Sequence, residues 1–139
     1  MRSLLSIATS TVLLIACHTK QLKDTPDVVK ESFTKHFPGS NARWKTDDER
    51  FEAAFRWDSH EMNATFEEDG SLLGSETMIT IAELPATIKE YISNHYNNIP
   101  IEQATKITLA DGTIQYQAAI KGTEMIFDTN SNFLKETRH

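Results

Sequence analysis

Apolar residues recur at every fourth position in two separate segments of the chain. The two sets are Val29, Phe33, Phe37 and Ile88, Ile92, Tyr96. A spacing of four places each set on one face of a helix. Pro26 and Pro85 precede the two sets at the same distance, and proline suits a first helical turn because its missing N–H would have no helical partner there. The pattern predicts two short amphipathic helices, ended by Pro38-Gly39 and by Asn97-Asn98.

The two predicted helices belong to a repeat. Residues 26–37 align without gaps with residues 85–96, and the proline, a Lys-Glu pair and a histidine are identical in both segments. A second match follows downstream, between Phe51-Glu-Ala-Ala-Phe55 and Tyr116-Gln-Ala-Ala-Ile120. The sequence therefore predicts two units of similar build.

After each helix the period of the pattern changes from four to two, which is typical of a half-buried strand. Asp69-Gly70 and Asp111-Gly112 are strong hairpin signals between such strands. Residues 105–109 also alternate ahead of the second of these turns. The predicted inward positions are Phe51, Ala53, Phe55, Trp57, Met62, Ala64 and Phe66 in the first unit, and Ile114, Tyr116, Ala118, Ile120, Met125 and Phe127 in the second.

Each unit is thus predicted to be one helix followed by about four antiparallel strands, and the fold class is α+β. We expect the first unit over residues 25–82 and the second over residues 83–139. Neither unit buries a helix and a sheet face well alone, so the two sheets should abut, with both helices on one face of the joined sheet. The opposite face is then open.

A short apolar run, Leu4–Ile15, precedes the repeat. It is too short to cross a bilayer and is typical of the hydrophobic region of a signal peptide. It ends in Leu14-Ile15-Ala16-Cys17, which resembles the bacterial lipoprotein box, where the cysteine is lipidated; the alternative is an ordinary signal peptide with a chance cysteine. We predict a signal peptide over 1–16 and a lipidated tether over 17–24, anchored at the outer membrane through Cys17. The aspartate that typically retains lipoproteins at the inner membrane is absent after this cysteine.

Composition and charge exclude several functional classes. The chain has 14 basic and 20 acidic residues, and the net charge of −6 argues against a nucleic-acid partner. The single cysteine excludes an intramolecular disulfide framework. The sequence contains no phosphate-binding loop, no Gly-x-Ser-x-Gly and no redox cysteine pair. We therefore predict neither a cofactor nor an enzymatic activity.

Taken together, the motifs resemble those of the PepSY-like proteins, also called beta-lactamase-inhibitor-like, which are mostly lipoproteins or secreted proteins of Bacteroidetes. The matching residues are Val29, Phe33, Phe37, Pro38, Gly39, Trp44, Phe51 to Phe55, Glu61 to Phe66, Asp69, Gly70 and Glu83 to Ala86. The second unit departs from the pattern, with Asn97-Asn98 in place of Pro-Gly and Ser131 where a turn glycine is usual. The resemblance implies tandem repeats of the beta-lactamase-inhibitor type without established catalytic residues. By analogy it suggests inhibition of a hydrolase or a peptidase-propeptide role.

Two partial metal motifs fail on inspection. His60-Glu61 begins a zinc-protease motif, but Ala64 stands where the second histidine is needed and the segment has a strand pattern. Residues 128–132 imitate the start of a calcium loop, but Phe133 occupies the position that requires glycine. No metal site is predicted from either motif.

The equivalent histidines His36 and His95 lie at the edge of the two helix faces. One interpretation is that each histidine lies at the end of a short helix and interacts favourably with the helix dipole. The alternative interpretation is that the two histidines form a pair that senses pH or binds a metal. Trp44 and Trp57 continue inward positions, so we expect both in the core rather than as ligand-stacking platforms.

The outward positions of the strands supply the candidate binding surface. They are short or polar, which predicts a flat, wet surface that suits a protein or peptide better than a drug-sized ligand. The residues predicted to bind the partner are Glu52, Arg56, Asn63, Thr65, Gln115 and Gln117, with Ala54 and Ala119 between them. The sequence thus predicts a non-enzymatic cell-envelope lipoprotein that binds a protein or peptide, with inhibition of an envelope peptidase or other hydrolase as its concrete form. The alternative is a periplasmic sensor of a small ligand or metal through His36 and His95.

Overall fold

The computed structural model describes residues 23–139, so the predicted signal peptide, Cys17 and most of the predicted tether lie outside the described residues. The described chain has two α-helices, eight β-strands and one short 3₁₀ turn. The helices are α1 (Asp27–His36) and α2 (Ala86–His95), and the 3₁₀ turn is Ile81–Glu83. The strands are β1 (Arg43–Asp47), β2 (Arg50–Trp57), β3 (His60–Phe66), β4 (Leu72–Ile79), β5 (Gln103–Leu109), β6 (Ile114–Ile120), β7 (Thr123–Asp128) and β8 (Phe133–Arg138).

Both helices begin at the predicted prolines. The carbonyl oxygen of Pro26 accepts hydrogen bonds from the N–H groups of Val29 and Lys30, at 3.1 and 3.2 Å. The carbonyl oxygen of Pro85 accepts the equivalent bonds from Ile88 and Lys89. Each proline thus lies just before the first helical residue and supplies the first acceptor of its helix. The prediction of two helices is confirmed.

The eight strands form one antiparallel sheet in which spatial order follows chain order from β1 to β8. The sequence predicts two sheets that abut, and the structure joins them by a continuous ladder of hydrogen bonds. β4 pairs with β5 from Gly74 opposite Leu109 to Ile79 opposite Ala104. The intervening α2 therefore spans a connection between neighbouring strands. The sheet is open, with β1 and β8 at its two edges.

The departures from the turn pattern in the second half are accommodated by left-handed backbone. Asn97 and Asn98, which end α2, have φ angles of 50° and 58°, and Ser131 has a φ of 66°. Gly39 holds the corresponding conformation after α1, with a φ of 80°. Asparagine tolerates this region better than most residues, so the chain can turn after α2 without glycine.

The first hydrophobic core joins α1 to β2 and β3. Phe33, which is 4% exposed, lies at its centre, and its ring centroid is 4.9 Å from that of Phe55 and 5.5 Å from that of Trp44. Trp57 packs at 5.8 Å against Phe37. Both tryptophans are half-buried against this core rather than displayed as free platforms. The buried members of the first core are Val29, Phe33, Phe37, Phe51, Ala53, Phe55, Ala64 and Phe66.

The second hydrophobic core joins α2 to β5, β6 and β7. Its buried members are Leu84, Ile88, Ile92, Ala104, Ala118, Ile120, Met125 and Phe127. Residues that lie opposite each other on neighbouring strands share a face of the sheet. Met62, Thr77, Lys106, Tyr116 and Phe127 form one such row, so the first and second cores lie on the same face. We call this the helix face. We call the opposite one, which carries Glu52, Asn63 and Gln117, the open face.

Candidate functional site

The open face brings the residues predicted to bind a partner onto one surface. Glu52 lies opposite Thr65, and Ala54 lies opposite Asn63. One row of paired residues runs across the sheet from Asn63 through Glu76 and Ile107 to Gln115. Arg56, Gln117 and Ala119 occupy further positions of the same face. Among residues 23–139, no helix packs against this surface.

The centre of the open face differs from the flat, wet surface that the sequence predicts. We define the central apolar patch as Leu73, Met78, Ile107 and Leu109, which lie on β4 and β5. Met78 is 41% exposed and Leu109 is 38% exposed. Thr105, opposite Met78, is only 7% exposed, so it is the buried polar residue next to the patch. Apolar side chains thus point away from the helices at the middle of the sheet.

The open face contains two hollows. The larger has a volume of about 580 Å³ and lies between the loop after α1 and the outward residues Ala54, Arg56 and Asn63. The smaller, of about 260 Å³, is lined by Glu52, Thr65 and three residues of the central apolar patch, namely Leu73, Ile107 and Leu109. Gly74 forms part of its floor, where a Cβ atom would come within 2.9 Å of the carbonyl oxygen of Thr108. The hollows therefore contain four of the six predicted binding residues.

Charge is unevenly distributed across the open face. β1 and β2 carry four cations on this side, Arg43, Lys45, Arg50 and Arg56, interleaved with acidic residues. On the neighbouring strand β3, Glu61 lies 3.9 Å from Arg56, in an ion pair that is well exposed. An exposed pair of this kind contributes little to stability, so both side chains are available to a partner.

On the helix face, His60 joins β3 to the 3₁₀ turn. Its Nδ1 lies 2.8 Å from the carbonyl oxygen of Asp58, and its Nε2 lies 3.0 Å from Glu83 Oε1. Both partners are acceptors, so both ring nitrogens must donate, which requires the protonated imidazolium. The hydrogen bonds that His60 donates to Glu83 and to the Asp58 carbonyl raise the pKa of His60. Hydrogen bonds from the Thr80 N–H, His60 and the Thr80 hydroxyl lower the pKa of Glu83 to about 2.

The structure separates the histidines of the sensor hypothesis from each other. His36 Nδ1 lies 2.8 Å from the carbonyl oxygen of Ser32, and His95 Nδ1 lies 2.8 Å from that of Tyr91. His95 also stacks on the Tyr91 ring at 3.9 Å. Each imidazole thus caps a carbonyl group of its own helix, on a different core. In residues 23–139 no group of three potential metal-ligating side chains occurs.

The segment that imitates a calcium loop is the turn between β7 and β8. Asp128 Oδ1 accepts hydrogen bonds from the backbone N–H groups of Asn130 and Asn132, each at 2.9 Å. The hydrogen bond from the Asn132 side-chain amide lowers the pKa of Asp128, and these backbone bonds add to the effect. The carboxylate is therefore used to shape an Asx turn.

Sequence reasoning missed the central apolar patch and the charged residues of the helix face. The register offers a signal for the patch. Thr108 pairs with Ile114 across the Asp111-Gly112 turn, so Ile107 must share a face with the outward Gln115. Nothing in the local pattern brings His60 and Glu83 together, because they meet only through the path of β4.

Comparisons with known proteins identify the fold. No protein-family model matches the chain, and no curated protein does either. A BLIP-like protein from Bacteroides fragilis superposes with a TM-score of 0.75 at 16% identity, covering 86% of this chain and 89% of the other. A protein of Bacteroides eggerthii, provisionally described as periplasmic, gives a TM-score of 0.76 at 15% identity, with 84% and 90% covered. A DUF2874 family protein from Bacteroides ovatus gives 0.72 at 18% identity, with 84% and 89% covered.

Within residues 23–139, neither helix has the length and apolar character that a membrane span requires. The structural likenesses extend over nearly all of the described sheet and both helices, at identities that establish a shared fold and nothing finer. Residues 23–139 have a beta-lactamase-inhibitor-like fold, with one open eight-stranded antiparallel sheet and two helices.

Proposed function

We propose that this protein is a non-enzymatic, lipid-anchored module of the cell envelope whose open face binds a protein or peptide partner. The observation that carries the proposal is the central apolar patch, which lies on a sheet face that no described helix covers. Apolar side chains at the centre of an exposed surface, with polar residues around them, are the usual anatomy of a protein interface.

The predicted binding residues form the polar surroundings of that patch. Thr65 and Leu109 flank Gly74 on neighbouring strands, and Glu76 separates Asn63 from Ile107. The partner would bury the apolar centre and exchange hydrogen bonds with the amides and hydroxyls at its rim. The cations of β1 and β2 favour a partner that presents acidic groups to that side.

Inhibition of an envelope peptidase or other hydrolase is the concrete form of this proposal. A rigid sheet with hollows can hold a loop of an enzyme without offering a scissile bond or a catalytic group of its own. The likeness to a BLIP-like protein of known structure supports the fold on which such a surface is built. The sequence has no recognisable acid–base or nucleophile motif, and this favours a module that binds rather than catalyses.

The location and the two-unit organisation complete the proposal. Cys17 would carry the lipid and residues 17–24 would serve as the tether, while residues 25–82 and 83–139 would be equivalent units, each with its helix on the same face of the sheet. The likeness to a Bacteroides protein provisionally described as periplasmic supports an envelope location. Metabolic labelling with an alkyne-tagged fatty acid tests the anchor: we expect label on the parent chain and none on Cys17→Ser.

Affinity capture tests the open face. The full chain with Cys17→Ser is immobilised and an envelope extract of the source organism is passed over it. Arg56→Glu and Leu109→Asp change two exposed positions of the open face, and Val28→Asp changes a position of α1 that is 46% exposed. We expect one partner to bind saturably, to be lost with both open-face variants and to be retained by Val28→Asp. Undiminished binding by both open-face variants would refute the surface.

The captured protein then tests inhibition. If it is a hydrolase, its activity should fall in proportion to added chain until the two are equimolar, and Leu109→Asp should abolish that titration. A captured hydrolase that keeps full activity at saturation would leave the binding surface in place and reject inhibition.

A further inference from the structure

A cleft on the helix face separates the two hydrophobic cores. It has a volume of about 440 Å³, within the range of small-molecule sites. The residues that line it and matter here are Trp57, His60, Thr77, Lys106, Thr108 and Tyr116. The cleft is on the other side of the sheet from the open face, so its use is independent of the proposed function.

Lys106 is the unusual residue of this cleft. It lies on the central strand β5, opposite Thr77 of β4 and Tyr116 of β6, and it is half-buried. Among residues 23–139 no carboxylate lies within 4.0 Å of its ammonium group, whereas His60, the other basic residue that lines the cleft, pairs with Glu83. An anion that enters the cleft would therefore meet a cation that no carboxylate of the described chain pairs with.

The acidic residues of the cleft do not supply that anion. Glu83 Oε1 lies 3.0 Å from His60 Nε2, and Glu83 Oε2 accepts hydrogen bonds from the Thr80 N–H and hydroxyl at 2.7 and 2.9 Å. Both oxygens of this carboxylate are therefore engaged. Asp58 is exposed in the turn before β3. Neither Glu83 nor Asp58 lies within 4.0 Å of the Lys106 ammonium group, so that group has no carboxylate partner within the cleft.

The cleft also has an apolar wall. The Trp57 ring is held edge-on against Phe37 at 5.8 Å, and Met62 and Ile79 line the same space. Such a wall can receive a flat apolar group. Thr77 and Tyr116 carry hydroxyls on the two strands that flank Lys106, and Thr108 carries one on β5 itself. We infer that this cleft binds a small organic carboxylate with a flat apolar body, its anionic end paired with Lys106.

The inference is tested with phenylacetate as the probe and phenylacetamide, its neutral isostere, as the matched ligand. Each is titrated into the ¹⁵N-labelled full chain with Cys17→Ser, and amide shifts are followed by NMR. We expect saturable shifts at Thr77, Lys106 and Thr108 with a Kd of about 1 mM or below for phenylacetate. Phenylacetamide should bind at least about tenfold more weakly, since it cannot form the charge-assisted bond.

Variants of the chain give the second arm. Lys106→Gln should weaken phenylacetate binding by about tenfold or more, and Lys106→Arg should restore it. Lys45→Gln, which removes a cation of the open face, should leave it unchanged. Equal affinity for the two ligands, an absence of saturable shifts, or full affinity in a folded Lys106→Gln chain would each overturn the inference. The comparison of the two ligands on the unaltered cleft decides it even if Lys106→Gln fails to fold.

Discussion

Replacement of Phe33 by alanine should remove a large part of the stability of the domain. The Phe33 side chain is 4% exposed and its ring lies among four others, those of Phe37, Trp44, Phe55 and Phe66, at centroid distances of 5.6, 5.5, 4.9 and 6.4 Å. Truncation of a buried phenylalanine costs about 3–5 kcal/mol, from lost burial and from the cavity that remains.

Ordinary domains have a free energy of unfolding of about 5–15 kcal/mol, and the loss is roughly a third to a half of a value in the middle of that range. At roughly 4 °C per kcal/mol for a domain of this size, the Tm should fall by about 12–20 °C. Urea unfolding, followed by the fluorescence of Trp44 and Trp57, measures the free energy directly, because both rings pack on the first core. Phe33→Leu, which keeps most of the buried carbon atoms, should cost no more than about 2 kcal/mol.

Val28→Ala is the matched control for Phe33→Ala. It removes carbon atoms from the same helix at a position that is 46% exposed, and we expect a change within about 0.5 kcal/mol. If Phe33→Ala costs less than about 1 kcal/mol, or no more than Val28→Ala, then Phe33 is not the centre of the first core and the argument from ring packing fails.

Two further predictions concern the middle of the sheet. His60→Gln should lower the Tm more at about pH 5.5 than at about pH 9. The raised pKa of His60 gives stability that is present below its ordinary pKa of 6.5 and is lost as pH rises through the folded value, while Glu83, with a pKa of about 2, stays ionised. Thermal melts of the parent and variant chains check this, and equal losses of Tm at the two pH values contradict it. Gly74→Ala should cost about 1–3 kcal/mol in urea unfolding, because its Cβ would lie 2.9 Å from a backbone oxygen of Thr108; a neutral effect would mean that β4 and β5 separate easily there.

Much of the fold was predictable because its signals are local. The apolar sets around Phe33 and Ile92, the prolines before them and the Asp-Gly turns each depend on a few adjacent residues. The antiparallel pairing then follows from turns that join consecutive strands. The continuous ladder between β4 and β5 was harder to predict, since α2 stands between these strands and no hairpin turn sets their register.

The candidate site was predictable only where the alternation of polar and apolar residues along a strand was enough to assign a residue to one face of the sheet. Asn63 and Gln117 alternate with inward apolar residues, so their side of the sheet could be derived. The central apolar patch could not be found this way, because Ile107 is apolar and yet faces away from the helices. Lys106 is a charged residue at a strand position that points to the helix face. Only the structure shows that neither hydrophobic core covers it.

The strict chain order of the sheet has a consequence for how the molecule can be built. Every strand pairs with the strand made just before it, so each ladder can close as soon as its second strand is available, and only the closure of β4 onto β5 must wait for a helix. Short closures lose little chain entropy and favour rapid folding. A chain that emerges N-terminus first could therefore complete its first core, from α1 to β4, before the second half exists, and that half would then grow onto the free edge of β4 as onto a template.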